Sequence, residues 1–291
     1  MRPLKARLQE TAIAKGIGIQ IVEKDYVLSY ILAGLVSCPA LSSSLVFKGG
    51  TALKKLFFGD YRFSEDLDFS AVSAPQGDDL EQAIHSAANE SVRLLMEHGP
   101  FSVEVKRYLE RDPHPHGQEA FVVRVQFPWQ PSPLCRIKLE ICHDEPVLLD
   151  PDARLLIHGY GEEMNIRIPS YRLEEIIAEK MRSLLQTHKK LVTRGWNRPR
   201  ARDYYDLWRL LTAYDSEIDR VLLSSVLERK CAHRDVSYSC VGDFLTDQLV
   251  IEAQTHWQSN LGSFVTNLPD CDSVLGDLER LMADLLPELS R

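Results

Sequence analysis

The hydrophobic residues of this chain change their spacing once, near Pro169, and that change limits the folds open to it. Before Pro169, short apolar runs with period 2 predict strands, and two longer stretches at helical spacing, 19–37 and 77–98, predict helices. After Pro169 the spacing predicts almost only helices. The pattern therefore predicts an α+β protein with an α/β N-terminal domain, residues 1–169, and a mainly α-helical C-terminal domain, residues 170–291.

The remaining elements follow from the same spacing. Strands are expected at 45–47, 66–69, 101–109, 120–127, 134–142 and 165–168. Helices of the C-terminal part are expected at 170–188, 203–214, 216–230, 240–258 and 272–288. Helical structure is also expected from Thr51 to Phe58. The proline-containing stretch from Asp112 to Gln118 predicts a hairpin loop.

Charge is distributed unevenly along the chain. The net charge of −8 argues against a protein that coats nucleic acid by bulk electrostatic attraction. Between Met181 and Arg202, however, there are seven Lys or Arg residues and no Asp or Glu. We call residues 181–202 the basic segment. A polyanion that binds this protein is expected to meet the chain there.

The cysteines and the apolar runs bear on where the protein works. The six cysteines are scattered, without the close spacing of a zinc site or the secretory context of disulfides. No apolar run approaches the roughly 20 residues needed to span a bilayer. No apolar signal core follows the basic N-terminus. A cytoplasmic protein that does not bind membranes is therefore expected.

Two adjacent glycines, Gly49 and Gly50, stand where the first apolar strand ends and a helix is expected to begin. Because glycine has no Cβ, the backbone here can approach a ligand closely. Thr51 follows in the first helical turn, where free N–H groups and the helix dipole favour a phosphate. A Gly-Gly turn followed by threonine is also common without any ligand. The motif alone leaves a nucleotide-binding and a purely structural interpretation open.

Asp66 and Asp68 lie two residues apart on a predicted strand, so both carboxylates point to one face. Leu67 and Phe69 point to the core. Paired carboxylates repel each other unless a cation neutralises them. Mg²⁺ suits such a pair, because it favours oxygen ligands and substrate phosphates over a complete protein cage. The pair is therefore a candidate site for Mg²⁺ or Mn²⁺, although a polar strand face without a metal gives the same pattern.

A third carboxylate, Glu140, lies on the polar face of an alternating strand whose apolar residues are Ile137, Leu139 and Ile141. From a neighbouring strand, Glu140 could complete a metal shell or act as a general base. A solvated strand face with a Lys138–Glu140 pairing explains the same residues. Both interpretations stay open.

Lys180 occupies a position on an otherwise apolar helix stripe, together with Leu173, Ile176, Ile177, Leu184 and Leu185. A lysine turned inwards costs free energy unless it meets an anion. That anion is either a structural carboxylate or a nucleotide phosphate. Asp203 opens the next predicted helix, where the dipole also favours an acidic residue for structural reasons. Asp206 follows one turn later.

Together these motifs resemble the nucleotidyltransferase superfamily, in which a glycine turn precedes an Asp-x-Asp pair. Fourteen residues separate Thr51 from Asp66 here. A wider set of motifs resembles the AbiEii-type toxin family, which includes the MenT toxins. They occur in the family's order within residues 20–212: Glu23-Lys24-Asp25-Tyr26, Phe47 to Leu53, Arg62 to Phe69, Glu179-Lys180 and Arg202 to Leu207. From about residue 215 onward nothing specific is recognised.

The resemblance implies a nucleotidyltransferase core with a mixed sheet, and it assigns four catalytic residues: Asp66, Asp68, Lys180 and Asp203. Asp66 and Asp68 would hold Mg²⁺. Glu140 is only a candidate for the third ligand, because members of the family do not all use a carboxylate at that position. The nucleotide is expected to bind to Gly49, Gly50, Thr51 and Lys180. The C-terminal domain would thereby contribute Lys180 and Asp203 to the site.

The implied reaction is transfer of a nucleoside monophosphate from an NTP to an acceptor hydroxyl, with release of pyrophosphate. In several family members the acceptor is a tRNA 3′ end, and the enzyme is the toxin of a toxin–antitoxin pair linked to phage defence. Their antitoxins are usually winged-helix proteins. An RNA acceptor is expected to contact Lys189, Lys190, Arg194, Arg198, Arg200 and Arg202.

Three other functions are compatible with the same motifs. The acceptor could be a protein, or the reaction could be a kinase-like phosphotransfer. The chain could also be a catalytically idle relative that acts as a binding module. The complete set of glycine turn, Asp-x-Asp pair, Lys180 and Asp203 argues against the idle form.

Overall fold

The computed structural model describes residues 2–109 and 117–286. The chain divides into two compact units, Met1–Tyr171 and Arg172–Arg291, which we call unit 1 and unit 2. The predicted hairpin loop at 112–118 lies outside the described residues except for its last two positions. The last two residues of the helix predicted at 272–288 also lie outside them.

In the described part of unit 1, the strands form one mixed sheet. They are β1 (Leu45–Lys48), β2 (Asp66–Ala71), β3 (Ser102–Tyr108), β4 (Gln118–Gln126), β5 (Cys135–Cys142), β6 (Asp152–Leu155) and β7 (Arg167–Ser170). Their order across the sheet is β3-β4-β5-β2-β1-β7-β6. β2 is parallel to β5, and β1 is parallel to β7, whereas the other neighbours are antiparallel. The centre of the sheet therefore consists of β5, β2 and β1.

The helices of unit 1 are α1 (Leu4–Lys15), α2 (Ile19–Ser37), α3 (Pro39–Ser42), α4 (Gly49–Ala52) and α5 (Gly77–Leu95). α2 is apolar on most of its circumference, and it packs against α5 and β5. It ends before Pro39, because the proline ring disfavours a helical backbone conformation in the residue that precedes it. α4 continues into a π-helical turn, Leu53–Phe57, which carries two buried lysines, Lys54 and Lys55.

A buried ion pair joins this π-helical turn to α2. Lys55 Nζ donates to Asp25 Oδ2 at 2.9 Å and to the Asp25 carbonyl oxygen at 2.8 Å. The Tyr160 hydroxyl donates to the same Asp25 Oδ2 at 2.7 Å. Burial raises the pKa of Asp25, but the charges of Lys55 and Lys54 and these hydrogen bonds outweigh it and leave the pKa below its usual value. Asp25 is therefore ionised, and it holds the segment that follows the glycine turn.

Unit 2 consists of helices in its described part: α6 (Leu173–Arg194), α7 (Ala201–Tyr214), α8 (Arg220–His233), α9 (Asp247–Leu261) and α10 (Cys271–Leu285). α6 packs against α8, and α7 packs against α9 and α10. The apolar stripe predicted on α6 is buried, and the helix ends at Gly195, whose φ of +76° is a left-handed conformation that suits glycine. None of the helices in the described ranges combines the length and apolar character needed to cross a membrane.

The prediction of an α+β fold with a helical C-terminal region is confirmed. The helix predicted at 19–37 has those bounds in the structure. The strand predicted at 165–168 lies two residues later, because Pro169 is part of β7 rather than its end. α1, α3 and β6 were not predicted, since each is short or has few apolar positions. α6 also extends six residues further than expected.

Candidate active site

The three candidate carboxylates of unit 1 lie on two neighbouring strands, β2 and β5, next to the end of β1. Lys48, the last residue of β1, is directly opposite Asp68 on β2, and Asp68 is directly opposite Glu140 on β5. Residues that are opposite in a ladder share a face of the sheet. Asp66 lies two residues before Asp68 and shares that face as well. We call Asp66, Asp68 and Glu140 the carboxylate row.

The two glycines face different neighbours. Gly49 has a φ of +78°, and a Cβ on it would overlap the Oδ2 atom of Asp68. A Cβ on Gly50 would overlap the guanidinium of Arg62 and crowd the hydroxyl of Ser64. A side chain at either position would force these neighbouring groups to shift. Gly49 brings the turn against a member of the carboxylate row.

Thr51 fastens the glycine turn to β2. Its side chain is fully buried, and its hydroxyl donates to the carbonyl oxygen of Asp66 at 2.5 Å. The hydroxyl thus has a structural partner at the first residue of the carboxylate row. The contact of Thr51 with a triphosphate stays a prediction.

Glu140 is bonded on both sides by polar side chains. Lys138 Nζ donates to Glu140 Oε1 at 2.7 Å, and Gln118 Nε2 donates to the same oxygen. The structure therefore contains the Lys138–Glu140 pairing that was one of the two interpretations of this strand. A role for Glu140 as third metal ligand stays a prediction.

The carboxylate row suits a divalent cation that binds together with its substrate. Its donors are oxygens only, and the absence of a Cβ at Gly49 lets the Asp68 carboxylate lie directly against the glycine turn. Within residues 2–109 and 117–286, no group of three or more His, Cys, Asp or Glu is arranged as a metal site. Mg²⁺ commonly takes one or two protein carboxylates and completes its shell with phosphates and water. Asp66 and Asp68 fit that mode of binding.

Two basic residues beside the carboxylate row were not singled out from the sequence. Lys48 is buried, and its ammonium lies 5.5 Å from the centre of the Tyr171 ring. Arg62 is buried against Gly50, and its Nη1 donates to the Phe63 carbonyl oxygen at 3.4 Å. The sequence did indicate that Lys48 lies near the site, since Lys48 ends an apolar strand directly before the two glycines.

The motif on α2 acts as a support in unit 1. Lys24 pairs with Glu65, which immediately precedes Asp66. Glu23 accepts hydrogen bonds from Trp129 Nε1 and Gln130 Nε2, both at 2.9 Å. Together with the ion pair of Asp25, these contacts position the segments that carry the glycine turn and β2.

In unit 2, Lys180 lies between two carboxylates. Its Nζ donates to Asp203 Oδ1 at 2.9 Å and to Asp206 Oδ2 at 2.7 Å. Arg200 Nη1 donates to the other oxygen of Asp203 at 3.2 Å. We call Lys180, Arg200, Asp203 and Asp206 the lysine–aspartate cluster. Of the two anions considered for Lys180, the structure shows structural carboxylates, and contact with a nucleotide phosphate stays a prediction.

The two aspartates of this cluster differ in exposure. The side chain of Asp206 is 0% exposed, whereas that of Asp203 is 16% exposed. Burial raises the pKa of Asp203, but the charges of Lys180 and Arg200 and the hydrogen bond from Lys180 outweigh it, so the pKa lies below its usual value. Asp203 is therefore a weak proton acceptor at neutral pH. Its chemistry there is that of a fixed negative charge.

We expect Lys180→Met to destabilise the protein by about 3–5 kcal/mol at neutral pH, because Asp203 and Asp206 lose the ammonium between them. Asp203 contributes stability above the usual aspartate pKa of about 3.9 and loses it as the pH falls through its lowered folded-state pKa. The difference between wild type and variant should therefore shrink below about pH 4. Urea unfolding from pH 7 to pH 3 measures it.

The matched control is Lys189→Met, which removes an exposed ion pair with Asp235 and should cost less than about 1 kcal/mol. A loss in Lys180→Met that is the same at every pH would show that the lysine stem, rather than its charge, stabilises unit 2.

The residues expected to contact RNA fall into two groups. Lys189 pairs with Asp235 at 2.6 Å, and Arg202 donates to the Asn260 carbonyl oxygen at 3.1 Å while its guanidinium lies over the Phe264 ring. These two residues make contacts inside unit 2. Others lie at the end of α6, in the following loop and in the lysine–aspartate cluster: Lys190, Arg194, Arg198 and Arg200.

Comparison with known proteins places these features in a family. The model of the family described as "Nucleotidyl transferase AbiEii toxin, Type IV TA system" matches residues 30–283, well beyond residue 212, where the recognised motifs end. A solved structure of MenT4, nucleotidyltransferase toxin Rv2826c from Mycobacterium tuberculosis H37Rv, is similar, with a TM-score of 0.61 and 20% identity. The match covers 96% of this chain and 88% of that chain, and at this identity it shows the fold alone.

A search of curated proteins gave no match. The resemblance drawn from the motifs is nevertheless confirmed by the family match, which includes the glycine turn, both aspartates of β2 and the whole lysine–aspartate cluster. The chain therefore belongs to the AbiEii family of nucleotidyltransferase toxins of type IV toxin–antitoxin systems.

Proposed function

We propose that this nucleotidyltransferase toxin transfers a nucleoside monophosphate from an NTP to the 3′ end of a tRNA, with Mg²⁺ or Mn²⁺ as cofactor. The observation that carries the proposal is the glycine turn packed against Asp68, next to a second carboxylate on the same strand face. This arrangement combines a cation-binding pair with backbone that a phosphate can approach.

Asp66 and Asp68 are the residues proposed to hold the cation. When bound, the cation supplies positive charge to the phosphates and the leaving pyrophosphate. The backbone of Gly49 and Gly50, together with Thr51, is proposed to contact the triphosphate, and Lys180 is proposed to bind one of its phosphates. Glu140 is kept as a candidate third ligand.

Asp203 is proposed to act through its charge. Its pKa below the usual value makes it a poor general base, since an effective base has a pKa near the working pH. Together with Asp206 it holds the ammonium of Lys180 in one position. Loss of Asp203 would therefore weaken phosphate binding by Lys180 instead of removing a proton acceptor.

The proposed RNA acceptor is supported by the basic segment. Lys190, Arg194 and Arg198 lie in a stretch that contains no acidic residue, although the chain as a whole has a net charge of −8. Such local positive charge favours a polyanion over a neutral or acidic protein surface. The toxin–antitoxin family supports a cognate antitoxin, which we propose to be a winged-helix protein. A cytoplasmic role in phage defence is part of the same proposal.

Incubation with each of four α-³²P-labelled NTPs and purified tRNA tests the acceptor. We expect one or more of them to label tRNA when Mg²⁺ is present, and we expect no label after chelation of the metal. tRNA oxidised with periodate should not be labelled, because it lacks the 3′ hydroxyl that attacks the α-phosphate.

The same assay separates the competing functions. If the label enters protein from a total cell extract and does not enter RNA, the acceptor is a protein and not tRNA. Transfer of γ-label would indicate a kinase-like phosphotransfer. Absence of both labels with every acceptor would contradict an active enzyme.

A further inference from the structure

The end of α6 presents a large aromatic side chain to solvent within the basic segment. Trp196 is 71% exposed, and Val192, one turn earlier, is 66% exposed. Isolated exposed apolar residues are common on protein surfaces. Trp196 differs from the other exposed apolar residues of the described chain in two ways. Its side chain is the largest among them, and it stands between two exposed arginines, Arg194 and Arg198.

The loop that carries Trp196 is hydrogen-bonded to α6. Gly195 reverses the chain with a φ of +76°. Asn197 Nδ2 then donates to the hydroxyl of Thr187 at 2.8 Å, and Arg200 Nε donates to the same oxygen at 2.9 Å. Thr187 is buried. The backbone of Trp196 therefore lies between a helix end and an anchored residue, and its exposed ring is accessible to a ligand.

The positive charges around this loop lie close to one another. The pKa of Lys190 is lowered, first by burial and then by the charges of Arg200, Arg194 and Arg182. Arg182 and Arg200 are paired with Glu179 and Asp203, whereas Arg194 and Arg198 are exposed on either side of Trp196 and can meet a polyanion. The surface near Trp196 is therefore suited to a phosphate backbone.

The loop is also connected to the lysine–aspartate cluster. Arg200 bonds both Thr187 under the loop and Asp203 in the cluster. Three residues separate Trp196 from Arg200, so their Cα atoms are at most about 14 Å apart. A ligand on the Trp196 ring is thus within a short distance of residues proposed to act on the nucleotide.

We propose that Trp196 is a stacking platform for an unpaired base of the RNA acceptor, with Arg194 and Arg198 binding the phosphates beside that base. This inference rests on the proposed function, because it names how the RNA substrate is held. Aromatic rings within a basic surface bind single-stranded nucleic acid through base stacking and phosphate contacts. A duplex offers no free base face except at its ends, so the site selects a single-stranded end.

The test is binding of a fluorescently labelled single-stranded RNA oligonucleotide to the full-length protein without NTP. Stacking is worth about 1–3 kcal/mol per base, so Trp196→Leu should weaken binding by about 5- to 150-fold. Trp196→Phe retains an aromatic face and should lose much less. Val192→Ala removes an equally exposed apolar side chain and should change nothing.

Two further measurements distinguish stacking from a general surface effect. Affinity for a long RNA duplex, in which all base faces except those of the terminal pairs are covered, should be nearly the same in wild type and Trp196→Leu. In the labelling assay, Trp196→Leu should raise KM for tRNA and leave KM for the NTP unchanged. The melting temperature should not change, because the side chain is exposed.

Equal affinity of wild type and Trp196→Leu for the single strand would overturn the proposal and point to a protein partner for Trp196. Failure of the wild type to bind the single strand would also overturn it. Failure of the proposed function has a different result: wild type that binds the oligonucleotide through Trp196 but adds no nucleotide to any RNA. Conversely, tRNA labelling with an unchanged KM in Trp196→Leu would retain the function and reject the stacking site.

Discussion

In the Asp68→Ala variant we expect nucleotide transfer from α-labelled NTP to fall by at least about 10³-fold, with the fold retained. Asp68 lies at the centre of the carboxylate row, directly between Lys48 and Glu140 in the register of the sheet and against Gly49. The adjacent residues Leu67 and Phe69 cannot replace its carboxylate, because they are apolar and point to the opposite, buried face, and Asp66 is proposed to hold the cation together with Asp68 rather than in its place.

Asp68→Asn is the more exacting variant, since it keeps the volume of the side chain and removes its charge. It should lose nearly as much activity as Asp68→Ala. Glu104→Gln, on an exposed position of β3 in the same sheet, is the matched control and should retain full activity. Near-normal transfer by both Asp68 variants would reject the assignment of this residue to the cation site.

The second large effect is expected on stability. Asp25→Ala removes the partner of Lys55, whose side chain is 1% exposed, and leaves a buried ammonium without its ion pair. Breaking a buried pair in this way costs about 3–5 kcal/mol. The Tyr160 hydroxyl also loses the nearer of its two acceptors and keeps only the Val22 carbonyl oxygen at 3.3 Å, which adds to the loss. Urea unfolding at pH 7 should therefore show a large reduction in the free energy of unfolding.

The control for this variant is Asp60→Ala, which removes a partner of Lys15 at the surface and should cost at most about 1 kcal/mol. Replacing both partners, as Asp25→Leu with Lys55→Met, should restore part of the loss, because no unpaired charge is then buried. A double variant as unstable as Asp25→Ala alone would show that the hydrogen bond with Tyr160, rather than the ion pair, is the main contribution.

Predictions from spacing succeeded where the cause is local. The bounds of α2 and the alternation of Asp66 to Phe69 follow from periods of 3.6 and 2 residues that neighbouring positions create by themselves. The position of Pro169 shows the limit of such signals. Proline suggested the end of a strand, but β7 continues through it, since the neighbours β1 and β6 supply the pairing.

The candidate site shows the same division between local and distant causes. Two aspartates on one strand face were predictable from their spacing. Glu140 was a candidate from the polar face of its own strand, but its position opposite Asp68, and that of Lys48 on the other side, depend on the strand order β5-β2-β1. Arg62 likewise becomes part of the surroundings only where Gly50 leaves space for its guanidinium.

From the sequence alone, the chain determined its fold class, its family and the chemical types of the residues at the site, because periodicity and motif order are properties of neighbouring residues. The partners of those residues were decided only by the tertiary structure. Lys180 required an anion as its partner, and the sequence was compatible with either a carboxylate or a phosphate. The packing of unit 2 placed Asp203 and Asp206 within hydrogen-bonding distance of its ammonium. A buried charge must find its partner among residues that folding brings close, and local spacing does not specify them.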